Sequence, residues 1–155
     1  PIELFIVCIE SATESEKPRC LAKKSTMNRT EYFLSEFDTL HINRYYGNDF
    51  KLIKEIFEIA DSYFEIDLVN IRHAFHKRKI DLLQNALHTI KPTFHTLGLL
   101  KLEKEISLFY SSCIEQACFD KMENTFLQLW PKLVNTHLLI GEQVRRFKSK
   151  TLPDS

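Results

Sequence analysis

Between residues 50 and 75, large apolar side chains recur at steps of three or four positions. The series is Phe50, Ile53, Phe57, Ala60, Phe64, Leu68, Ile71 and Phe75. Such spacing places the side chains along one side of an α-helix and leaves the intervening polar residues on the other side. The series predicts an amphipathic helix of about 28 residues and ~42 Å in length.

Three later segments show the same spacing, at residues 80–97, 99–113 and 122–147. Gly98 should end the first of them, and Pro131 should kink the last because proline cannot donate a helical hydrogen bond. Upstream, Asp38 can cap a short helix over Thr39–Tyr46, which Gly47 would end. Asn48 or Asp49 would cap the next helix. The prediction is an all-α protein, an antiparallel four-helix bundle with a short additional N-terminal helix.

Residues 1–36 are expected to form a separate N-terminal arm, an expression remnant or a linker, and residues 37–150 the bundle. Residues 1–9 have a strand-like composition, and residues 10–26 are polar without a period. Neither pattern continues the helical apolar faces. Each bundle helix shows one apolar face only, which predicts a monomer.

Charge balance, the length of apolar runs and cysteine spacing restrict the class of protein and its compartment. The chain has 21 Lys+Arg and 21 Asp+Glu, and this balance argues against a nucleic-acid-binding protein, which carries a basic excess. No apolar run approaches the ~18–20 residues that cross a bilayer. The four cysteines have no disulfide or zinc spacing, which is typical of free thiols in the cytoplasm.

The histidines do not predict a metal site. Glu-x-x-His, the pattern of di-iron bundles, is absent. His88 and His95 lie two helical turns apart, ~10.5 Å, which is too far to share one ion. His137 falls on an apolar face and is expected to be a packed core residue. We therefore expect no metal and no cofactor.

The polar side of the helix predicted at residues 80–97 carries the candidate functional residues. At about 100° per residue, His88 points ~130° away from the apolar face, toward solvent. Gln84 and His95 lie on the same side, and Lys91 follows one turn after His88. An exposed helical histidine is by itself most often an ordinary surface residue.

The sequence around His88 resembles the signature of histidine-containing phosphotransfer (HPt) domains. That signature reads His-x-Leu-Lys-Gly, with a second glycine ten positions after the histidine. His88, Lys91 and Gly98 match it in type and spacing, and Ile90 replaces the leucine. Pro92 departs from it, standing where the family has glycine. The resemblance extends to the helix order across residues 37–148.

This resemblance implies a phosphorelay protein. His88 would accept a phosphoryl group from an aspartyl phosphate on one receiver domain and pass it to another, and Lys91 would stabilise that group. Gln84, Pro92 and His95 would contact the partner. The implied partners are response-regulator receiver domains and a hybrid histidine kinase, and Mg²⁺ would belong to the receiver. The protein would be a relay intermediate rather than an enzyme, with no kinase or ATPase site of its own.

Two alternatives stay open. A bundle that has lost phosphotransfer and serves only as an interaction module is favoured by Pro92. A dimerisation fragment of a sensor kinase also presents a histidine on helices, but those kinases resemble His-Glu with a proline five positions after the histidine. Here Thr89 follows His88 and Pro92 comes after four, and no glycine-rich nucleotide lid is present.

Overall fold

The computed structural model of the protein describes residues 32–47, 49–115 and 119–149, and this part of the chain is helical with no strand. The helices are α1 (Thr39–Tyr46), α2 (Phe50–His76), α3 (Ile80–Thr96), α4 (Leu100–Glu115) and α5 (Phe119–Ser149). The predicted fold class is confirmed. The strand-like residues 1–9 lie outside the described residues.

Side-chain caps and turns fix the ends of the first two helices. The Asp38 carboxylate accepts a hydrogen bond from the His41 N–H at 2.9 Å, and the Asp49 carboxylate accepts one from Leu52 at 2.9 Å. Asp49 is therefore the cap of α2. Gly47 ends α1 with a φ of 60°, a backbone conformation that glycine adopts without steric cost.

The four long helices pack in a ring, with α2 against α3 and α5, and α4 against α3 and α5. Their inward faces form one continuous core of aliphatic and aromatic side chains. Phe64 lies near its centre, 5.8 Å from the Phe94 ring and 5.9 Å from the His137 ring. His137 is half-buried against this core, which agrees with its expected packing role.

Both internal prolines are accommodated within helices. α3 is continuous through Pro92 and α5 is continuous through Pro131. Both prolines are exposed, so the carbonyl that each leaves without a helical donor has access to water. The departure from the HPt signature at Pro92 therefore does not end α3.

The packed unit begins earlier than the expected boundary at residue 37. Phe33 is buried, with its ring 5.3 Å from that of Phe147 on α5. The fully buried Gln143 amide holds the backbone on either side of Phe33: its Nε2 donates to the Tyr32 carbonyl and its Oε1 accepts from the Leu34 N–H, each at 2.8 Å. The segment 32–36 is thus part of the bundle.

The outer face of α2 is more apolar than the sequence pattern predicts. Ile59, Tyr63 and Ile66 are 42%, 44% and 54% exposed. They lie at steps of four and three residues, so they form a second apolar stripe beside the buried one. The expectation of a single apolar face per helix is wrong for α2.

Candidate functional site

The predicted strip on α3 lies along its boundary with α4. Contacts join the two helices at three levels: the Gln84 amide donates to the Cys113 carbonyl at 3.1 Å, the His88 and Tyr110 rings lie 6.2 Å apart, and His95 Nδ1 is 3.0 Å from a Glu103 carboxylate oxygen. Gln84, His88 and His95 therefore share one edge of the bundle, as the helical geometry predicts.

His88 is exposed in the middle of this edge. Within residues 32–47, 49–115 and 119–149, neither of its ring nitrogens has a hydrogen-bond partner, and Tyr110 is the residue whose ring it contacts. An unprotonated imidazole nitrogen with no partner has an available lone pair, which a nucleophile requires. The geometry around His88 is therefore suited to attack on an incoming group.

Lys91 follows one helical turn after His88 and is half-buried. Residues three apart on a helix have Cβ atoms about 5–6 Å apart, so the ammonium can reach a group bound to the imidazole. No carboxylate of the described residues lies within ion-pair distance of Lys91. Its charge is thus left for an anion that arrives from outside.

Pro92 lies one turn after His88 on the outer side of α3 and is exposed. Its ring is compact and cannot extend over the imidazole as a long side chain would. Glycine, which the HPt signature has at this place, likewise leaves the imidazole uncovered. The approach to His88 from the C-terminal side of α3 is therefore open.

His95 differs from His88 although its side chain is 44% exposed. Its Nδ1 lies 3.0 Å from Glu103, and its Nε2 lies 3.1 Å from the Tyr45 hydroxyl. A carboxylate only accepts hydrogen bonds, so Nδ1 carries the proton, and in the neutral ring Nε2 accepts from Tyr45. The lone pair of His95 is occupied, which makes it a poor nucleophile beside His88.

His41 adds to the same cluster from α1. Its Nε2 donates to the His95 backbone carbonyl at 2.8 Å, and its ring meets the His95 ring edge-on at 4.6 Å. These contacts, with those of Tyr45, attach α1 to the C-terminal end of α3. His95 therefore serves to hold this end of the site in place.

Gly98, the second glycine of the signature, has a φ of 72° at the α3–α4 turn. A Cβ at this residue would lie 3.0 Å from the Asp38 carbonyl oxygen and 3.1 Å from Ile42. The Gly98 carbonyl also accepts from the Asp38 N–H at 2.9 Å. Glycine is needed here for both the backbone conformation and the close approach of α1.

The sequence reading missed Tyr110 and Glu103, which face His88 and His95 from α4. Residues at similar distances before and after a tight helix–helix turn face each other in an antiparallel pair. Counting outward from Leu99, the residue between the turn and α4, pairs His95 with Glu103 at four positions and His88 with Tyr110 at eleven. That count was the available signal for both residues.

Other kinds of site find no support in the described part of the chain. It contains no group of three or more His, Cys, Asp or Glu side chains that could hold a metal ion. Nor does it contain a helix with the length and apolarity to cross a membrane. The chain matches no protein-family model, no curated protein and no solved structure.

Proposed function

We propose that this protein is a histidine phosphotransfer protein that relays a phosphoryl group between receiver-domain aspartates through His88. The observation that supports this most is the contrast between two histidines on one helix edge: His88 is exposed with both nitrogens unpartnered among the described residues, whereas both nitrogens of His95 are engaged. The resemblance of the sequence from His88 to Gly98 to the HPt signature agrees with this choice.

The only reacting group that this protein would contribute is the His88 imidazole. An unprotonated nitrogen of His88 attacks the phosphorus of an aspartyl phosphate, the N–P bond forms, and the P–O bond to the carboxylate breaks. The carboxylate leaves with the bonding electron pair, and the second ring nitrogen keeps its proton. The reverse sequence with another aspartate passes the phosphoryl group on. Mg²⁺ and the remaining phosphate ligands would belong to the receiver.

Lys91 would stabilise the phosphoryl group on His88. At a separation of ~6 Å and an effective dielectric between ~20 and ~80, the attraction is about 1–3 kcal/mol for each unit of negative charge. Salt weakens such an attraction at an exposed site. Lys91 is therefore expected to affect the rate of transfer without affecting the fold.

The partner would dock over the α3–α4 edge, with Gln84, Pro92 and His95 around the central histidine. Gln84 and His95 are half-buried and Pro92 is exposed, so the surface combines polar groups with a small apolar one. Such a surface suits a transient interface of ordinary size. The proposed partners are receiver domains and a hybrid histidine kinase, which would place the protein in the cytoplasm.

The test uses potassium phosphoramidate, a small phosphoryl donor that needs no cognate receiver, followed by intact-mass spectrometry. We expect the wild-type chain to gain one acid-labile, base-stable phosphoryl group rapidly, before any slower addition at the exposed His73 and His76. His88→Gln should abolish this gain, and the matched variant His95→Gln should retain it. Lys91→Ala should slow it roughly ten-fold, with the defect shrinking in high salt. Uptake by His88→Gln but not by His95→Gln would refute the assignment.

A second candidate is an interaction module that keeps the bundle but has lost phosphotransfer. Pro92 is the observation in its favour, because proline has no N–H to donate to the His88 carbonyl. The same assay separates the two candidates. A wild-type chain that takes up no phosphoryl group, either from phosphoramidate or from phosphorylated receiver domains, would favour the interaction module.

A further inference from the structure

We propose that Tyr110 is a positioning residue for His88, and that it acts through its aromatic ring rather than through its hydroxyl. The inference rests on the proposed function of His88. The Tyr110 ring centroid lies 6.2 Å from the imidazole centroid, with the ring planes inclined by 37°. Tyr110 comes from α4, so it reaches His88 from the neighbouring helix rather than from the helix that carries it.

Tyr110 is itself held in place. Its side chain is half-buried and packs against the hydrophobic core. No hydrogen bond to its hydroxyl occurs among the described residues. Packing therefore fixes the position of this ring, and the ring is the part of Tyr110 that is placed to act on His88.

An exposed histidine on a helix samples several side-chain rotamers, and only some of them direct a ring nitrogen toward an incoming group. A fixed aromatic ring on one side of the imidazole removes the rotamers that would occupy the same space. The remaining rotamers keep a nitrogen directed away from Tyr110 and toward solvent. Holding a reacting group in a productive orientation raises its rate of reaction.

The experiment compares Tyr110→Phe, which keeps the ring, with Tyr110→Leu, which removes it but keeps an apolar side chain on the core. Tyr63→Leu is the matched control, because Tyr63 lies on the outer face of α2, away from the α3–α4 edge. Uptake of the phosphoryl group from phosphoramidate is measured for each variant. We expect Tyr110→Phe and Tyr63→Leu to stay within about two-fold of wild type, and Tyr110→Leu to be about ten-fold slower.

A second readout reports on the contact itself. The His88 ring signals, assigned by their loss in His88→Gln, are followed in ¹H–¹³C NMR spectra. They should be displaced by the aromatic ring in the wild type and in Tyr110→Phe, and should move toward free-histidine values in Tyr110→Leu. The Hα–Hβ couplings of His88 then report its rotamer: they should indicate one dominant rotamer in the wild type and Tyr110→Phe and averaged rotamers in Tyr110→Leu, whereas a packing role that does not reach His88 would leave them unchanged.

Three outcomes would overturn the proposal. Tyr110→Leu could take up the phosphoryl group at the wild-type rate, or its His88 signals could stay unmoved. Tyr110→Phe could be slowed as much as Tyr110→Leu, which would make the hydroxyl the acting group. Absence of uptake by the wild type would overturn the proposed function instead. The two failures are therefore distinguishable.

Discussion

Replacing Asp67 with asparagine should remove a specific pH dependence from the stability of the bundle. Asp67 lies on α2 among core residues and is only 7% exposed. No ion pair to it occurs among the described residues. Burial raises the pKa of its carboxyl from the ordinary 3.8 to about 6, because the charged form loses hydration in the core.

The sign of the effect follows from proton binding. Between the unfolded-state pKa of 3.8 and the folded-state pKa of about 6, the folded chain holds a proton that the unfolded chain has released. The free energy of unfolding therefore falls as the pH rises through this interval and levels off above it. Each pKa unit corresponds to about 1.36 kcal/mol. The rise in the Asp67 pKa from 3.8 to about 6 therefore lowers the free energy of unfolding at neutral pH by about 3 kcal/mol.

The assay is urea unfolding of the wild type and Asp67→Asn between about pH 4 and about pH 7.5. Asp67→Asn should lack this loss. Its free energy of unfolding should therefore exceed that of the wild type by an amount that grows with pH, up to about 3 kcal/mol. Asp61→Asn is the matched control, since Asp61 lies on the same helix but is less buried. Parallel pH curves for the wild type and Asp67→Asn would refute the reasoning.

Two other changes test the surroundings of the candidate site. Gly98→Ala should cost about 2–4 kcal/mol in urea unfolding, because it combines a left-handed backbone with a contact to the Asp38 carbonyl. A loss below about 0.5 kcal/mol would show that the turn relaxes around the added Cβ. Burial raises the pKa of the Cys113 thiol to about 11, so iodoacetamide at about pH 8 should modify it only after denaturation. Peptide mapping by mass spectrometry checks this, and modification of the folded chain at the rate of a free thiol would contradict it.

The helices and their ends were predictable because they depend on local chemistry. The spacing of apolar residues predicts each helix, and the carboxylate of Asp38 predicts the start of α1. The exposure of His88 follows from the same helical geometry. These properties need no knowledge of what lies across the bundle.

The features that the sequence did not reveal depend on contacts between distant segments. Phe33 belongs to an extended segment without a helical period, so only its packing on Phe147 shows that it joins the core. Asp67 lies at the flank of the apolar face of α2, where a charged residue is normally solvated. The occupied lone pair of His95 depends on Tyr45 and Glu103, which come from two other helices.

The hydrogen bonds of Gln143 to the Tyr32 and Leu34 backbone have a mechanical consequence. They join segments 109 residues or more apart in the chain, near the beginning and the end of the described bundle. Domains attached before residue 32 and after residue 149 would emerge from the same side of the molecule. Tension between such neighbours would load these hydrogen bonds and the Phe33–Phe147 contact first. The α3–α4 edge would be spared until this attachment gave way.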